Sequence, residues 1–191
     1  SAFRLVQQSQ EKLKNGIKES LKNGKYEELF FEDLFHLWKV DGISPEVVLR
    51  ELRAIEGTEE SLLIMDNDEP IPVWFGGSDS TGPDMFLKTG PSATKDATEF
   101  NKKNSPLKGL WHKHYYIHQT DFLNENTKNV ARKHPFLKNA PPIMQMMARI
   151  TEGAVTGEWI IFRKDDGINT YLCLAKHNDG DEKIHEKLKR G

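Results

Sequence analysis

The sequence predicts an α+β fold, an N-terminal helical subdomain followed by a small antiparallel sheet packed against helices. Three observations carry that prediction. Through Gly57 the apolar residues recur at helical spacing and are interrupted only by the turn signals Asn23-Gly24 and Asp41-Gly42. Near the other end, Glu158 to Lys164 and Asn169 to Lys176 are rich in β-branched, aromatic and other apolar residues and flank Asp165-Asp166-Gly167, a tight-hairpin signal. The length, 191 residues, is enough to bury a core without staples.

Each element has a local reason. From Phe3 to Lys22, Leu5, Val6, Leu13, Ile17 and Leu21 make the narrow apolar stripe of an amphipathic helix. A more apolar helix follows, with Tyr26, Leu29, Phe30, Phe31, Leu34, Phe35, Leu37 and Trp38. Ser44 is suited to cap a third, with Pro45 at its first position and Val47, Val48, Leu49, Leu52 and Ile55 inward. The last two helices have the outline of a helix-turn-helix, but Glu46, Glu51 and Glu56 oppose the phosphate neutralisation that duplex binding needs. A helical hairpin is the expected structure.

Ser61 to Met65 reads as a short strand. The stretch from Asp66 to Ser105 is irregular, with two short strands, Val73 to Phe75 and Met85 to Leu87, around a glycine-rich tip from Gly76 to Asp84. Leu110 to His118 is expected to be extended. Thr120 can cap a helix over Asp121 to Lys133, and Pro141-Pro142 opens another that closes near Gly153. Asp181 to Arg190 is a short closing helix with Ile184 and Leu188 inward. The domain reading is an acidic helical subdomain over residues 1–60 and a basic, histidine-rich α+β unit over 61–191, with one continuous domain as the alternative.

Composition excludes several classes. Apolar residues make up 37% and charged residues 29%, so the chain is expected to fold. Cys173 is the only cysteine, which removes internal disulfides and cysteine-based zinc clusters and fits a reducing compartment. With no long apolar run and no apolar signal core at the start, the expectation is a cytoplasmic protein without a membrane partner. The net charge of −2 conceals a division: residues 1–100 carry 11 basic and 19 acidic groups, and residues 101–191 carry 16 basic and 10 acidic. Six of the seven histidines lie in the positive half, which points to an anionic partner and to acid/base or metal chemistry.

Two clusters could supply that chemistry. On a strand through Gly109 to Gln119, the period of two puts His112, His114, Tyr116 and His118 on one face and Lys113 and Tyr115 on the other. The second cluster follows from a two-residue turn at Asp166-Gly167. Strict pairing from that turn sets Phe162 opposite Tyr171 and Glu158 opposite Ala175, making Glu158 and His177 same-face diagonal neighbours. A carboxylate beside an imidazole can take the 2′-hydroxyl proton of RNA and protonate the leaving oxygen. Cys173, mid-strand among leucines, is expected to be a small core residue.

These readings give a small nucleic-acid-directed enzyme, a metal-independent ribonuclease of toxin type. His112, His114, Glu158 and His177 are its acid/base candidates. Lys113, Tyr116, His118, Arg163, Lys164 and Lys176 are its substrate contacts, and no cofactor is required. The element order is compatible with small ribonuclease toxins at the level of fold analogy alone. One alternative is a non-catalytic module that grips RNA, another polyanion or an acidic protein. The other is a metal-dependent hydrolase or nuclease holding zinc or manganese through His112, His114 and Asp121 or His118. The acidic helices would serve self-association or contact with a protein inhibitor.

Overall fold

The computed structural model describes residues 1–58, 65–66, 69–70, 96–115, 132, 135–139, 158–176 and 178–191. Helix α1 spans Ala2–Ser20, capped by the Ser1 side chain, which accepts from the Arg4 N–H. Strand β1, Lys25–Tyr26, leads into helix α2, Glu28–Lys39. Helix α3, Glu46–Glu56, begins where the Ser44 hydroxyl accepts from the Glu46 N–H. It stops at Gly57, whose φ of 68° is the left-handed conformation that glycine adopts without a Cβ penalty. The three expected N-terminal helices are thus present, their ends displaced by a residue or two.

The short strands β2, Met65–Asp66, and β3, Glu69–Pro70, pair with each other. Strand β4 is Thr98–Glu99, β5 is Trp111–Tyr115, β6 is Glu158–Asp165 and β7 is Ile168–Ala175. Helix α4, Asp181–Arg190, closes the chain at the span expected of it. The expected strands at 73–75 and 85–87, the glycine-rich tip at 76–84, the helices over 121–133 and 141–153, and the continuation of β5 past Tyr115 lie outside the described residues, apart from Arg132 within the first of those helices.

Five strands form one mixed sheet in the order β1, β7, β6, β5, β4. Its centre is antiparallel, as the hairpin signal requires, while β1 joins β7 in parallel. A strand from the N-terminal sixty residues therefore completes a sheet made by the C-terminal half. Helices α1 to α3 cover one face, where Leu13, Ile17, Phe30, Leu34, Val48 and Leu52 share a single buried cluster with Ile160, Phe162, Tyr171 and Leu174. At about 1.5 to 3 kcal/mol for each large apolar side chain buried, this contact joins the acidic helices to the sheet. The helical hairpin's apolar face is spent on the sheet.

The opposite face carries a second cluster of Phe100, Leu107, Ile161, Leu172, Cys173, Ala175 and Ile184, with Trp159, Leu29, Leu110 and Leu188 packed against it. Its covers are the 100–110 segment and α4. At the far end, α1 runs on past the core, leaving Phe3, Leu5 and Val6 exposed. No helix among the described residues is long and apolar enough to cross a membrane.

The hairpin turn is the predicted one, with Asp165 opposite Ile168 and Phe162 opposite Tyr171. Asp166 and Gly167 both have positive φ, 50° and 79°, as a tight turn of this hand demands. Beyond Tyr171 the register departs from the expectation. Cys173 pairs with Ile161 and Ala175 with Trp159, so β7 has one extra residue, Leu172, at a bulge. Expected opposite Ala175, Glu158 is instead paired with Tyr115 of β5.

Candidate functional site

Register fixes which side chains share a face. Along one set of rows lie His112, Ile161 and Cys173, then His114, Trp159 and Ala175. Alternating rows hold Trp111, Phe162 and Tyr171, then Lys113, Ile160 and Leu174, then Tyr115 with Glu158. The first set faces away from α1 to α3 and the second set faces them. The sheet thus stands between the two imidazoles and Glu158. The sequence leaves open whether the histidine cluster and Glu158 share a pocket; this geometry puts Glu158 on the other face from His112 and His114, and proton transfer needs hydrogen-bond reach or one bridging water.

The register on which the Glu158 and His177 pairing rests, Glu158 opposite Ala175, is off by one residue. His177, Tyr116, His118 and Asp121 lie outside the described residues.

His112 and His114 do stand side by side, as the strand period predicts. Their ring centroids are 5.6 Å apart and the rings are nearly perpendicular, at 82°. Trp159 lies against both, 4.8 Å from His112 and 6.3 Å from His114. Phe100 also lies against His112, at 4.6 Å, and meets Trp159 edge-on at 5.5 Å, so the three rings form a triangle. The two imidazoles are therefore packed against aromatic rings. His114 is buried and His112 half-buried. Toward the sheet edge, His112 Nε2 and the hydroxyl of exposed Thr98 on β4 are 3.1 Å apart.

Thr98 and Phe100 belong to this site and carry no sequence signal for it. Strand β4 is two residues long, too short for any periodicity to register.

Lys113, expected to contact phosphate, has a different role. Its ammonium donates to Glu51 Oε2 of α3 at 2.9 Å, with both side chains buried. A charge at that depth is tolerated only with its partner in place. Arg163 is exposed but flanked by carboxylates, Asp165 at 2.8 Å and Glu27 at 3.7 Å. Lys164 places its ammonium 3.8 Å above the Trp111 ring, a cation–π contact on the helical side of the sheet. Lys176 is exposed just past β7, and its backbone N–H donates to Asp179. The four described members of that set, Lys113, Arg163, Lys164 and Lys176, do not assemble into one surface.

Electrostatics separates active from inert groups. Burial pushes the Cys173 thiol up to about 12, only partly countered by Lys187. It is a core residue, as its leucine neighbours predict, and not a nucleophile at neutral pH. Burial first, and then Glu158, holds the Tyr115 phenol well above its ordinary value. Among the described residues no group of three or more His, Cys, Asp or Glu side chains is placed to hold a metal ion. Comparison with protein-family models, curated proteins and solved structures finds no match to this chain, so any functional reading rests on the site itself.

Proposed function

We propose that the protein is a small RNA-directed hydrolase and that His112 and His114 carry its chemistry without a metal. One imidazole takes the 2′-hydroxyl proton as that oxygen attacks the adjacent phosphorus; the other protonates the departing 5′-oxygen. The observation that supports this reading is the paired placement of the two rings, 5.6 Å between centroids. That spacing lets two imidazoles flank a single phosphodiester. Glu158, Lys113, Arg163 and Lys164 have no part in this version, and Lys176 is the basic group left for a more distant phosphate.

The test is cleavage of a mixed pool of labelled RNA and single-stranded DNA in excess EDTA, with folded His112→Ala and His114→Ala variants alongside. RNA-only cleavage that falls by about a hundredfold or more in either variant supports the proposal. A second reading draws on the same spacing, which also suits two imidazoles sharing one divalent ion at Zn–N distances of about 2.0–2.1 Å. It gains support if cleavage is absent in EDTA and returns with zinc or manganese. Salt-sensitive RNA binding with no turnover in either condition overturns both and leaves a binding module.

A further inference from the structure

Among the described residues, the outer edge of β7 is only partly paired. Strand β1 covers Thr170 and Tyr171, the Glu27 N–H donates to the Tyr171 carbonyl at 2.9 Å, and the chain then turns away into α2. Farther along, Leu174 pairs with Ile160 on β6, and its backbone N–H and C=O are taken by side chains from two helices. Asp33 Oδ2 of α2 accepts from the Leu174 N–H at 2.9 Å. Lys187 Nζ of α4 donates to the Leu174 carbonyl at 2.8 Å and lies 2.7 Å from Asp33 Oδ2. A closed triangle of backbone, carboxylate and ammonium thus does the work of a missing strand.

Among the described residues, few other groups fasten the same helix. At its start Asp181 accepts from the Ser105 hydroxyl, and midway Ile184 is its single fully buried residue, packed with Leu188 into the cluster that holds Cys173 and Ala175. The remaining side chains of α4 are partly or wholly exposed. An element with so little buried apolar surface has a low free energy of local opening.

We propose that α4 is a strap over the β7 end of the sheet, that the Asp33–Lys187–Leu174 triangle is its latch, and that it opens as a unit without global unfolding, uncovering Cys173. The inference is independent of the RNA reading. Because the chain has one cysteine, buried beneath this strap, its alkylation reports the opening directly.

The experiment is N-ethylmaleimide labelling of the full chain under native conditions, paired with amide exchange, for wild type, Lys187→Met, Asp33→Asn and Lys187→Arg. Lys187→Met should label Cys173 roughly tenfold faster or more, with Leu174 and α4 amides exchanging faster while β5 amides hold. Asp33→Asn, which keeps an acceptor for the Leu174 N–H, should fall between, and Lys187→Arg should return toward wild type. Unchanged labelling in folded Lys187→Met overturns the proposal. So does acceleration of Leu174, α4 and β5 amides together, which would mean global unfolding. Should Lys187→Met fail to fold, the Asp33→Asn comparison decides on the same criteria.

Discussion

On its helical side the sheet presents Trp111, Phe162 and Tyr171 in one row and Ile160 and Leu174 beside Lys113 in the next; on the other side the matching rows are His112, Ile161, Cys173 and His114, Trp159, Ala175. Three helices cover the first face, and the buried charge of Lys113 there is matched by Glu51. The second face is closed by the 100–110 segment and by α4, with imidazoles set among aromatic rings. The helical face is built for cohesion, and its charge is a locking device. The two adjacent imidazoles and the lightly fastened cover are on the other face, which is where function is to be sought.

The sharpest way to break this comparison is to unlock the helical face. Lys113→Met leaves Glu51 buried without its cation and should cost about 3–5 kcal/mol in denaturant unfolding. The double variant Lys113→Met, Glu51→Leu should recover most of that loss. If the single variant is as stable as wild type, the pair does not hold α3 to the sheet.

The second face should reveal itself through pH. Burial raises the Cys173 thiol from 9.0 to about 12 in the folded chain, so the folded state keeps a proton that the unfolded state gives up. The stability this contributes is complete below pH 9.0 and is lost as pH rises toward 12. The slope is at most about 1.4 kcal/mol per pH unit. In Cys173→Ala the alkaline decline over that range should be shallower, read from urea unfolding at a series of pH values. Tyr115 and Tyr171, both raised by burial, maintain the rest of the decline.

A smaller effect tests how tightly the helices meet the sheet. A Cβ on Gly24 would collide with Glu56 Oε1 and lie 3.2 Å from Tyr171 Cε2. Glu56 cannot easily retreat, because its other oxygen accepts from Asn169 Nδ2 at 3.0 Å. Gly24→Ala should therefore cost about 1–3 kcal/mol, and a neutral result would show that this joint yields. Least costly is Gly167→Ala at the hairpin tip, where φ is 79° and the space around is open. About 1 kcal/mol is expected from the left-handed backbone alone, measured as a shift in Tm.

Much of the fold was legible because local chemistry marks it. Asn23-Gly24, Asp41-Gly42, Ser44 and Gly57 bound the helices, and Asp166-Gly167 sets the hairpin. The imidazole pair was equally legible, since a strand period of two places His112 and His114 together whatever surrounds them. The bulge was not. Tyr171 to Ala175 is apolar throughout because both faces of β7 are buried, and a run without alternation gives no sign of a one-residue slip. That slip is what parts Ala175 from Glu158.

The sequence by itself determined the helices, the hairpin and which neighbours along β5 share a face, because these follow from backbone preferences and periodicity within a few residues. Tertiary structure alone decided that Lys113 would meet Glu51 across 62 positions, that Lys25 and Tyr26 would add a parallel strand, and that Asp33 and Lys187 would close the end of β7. Such contacts form when burial deprives a charge or a backbone amide of water and the nearest complementary group in space must replace it. Distance along the chain carries no record of which group that will be.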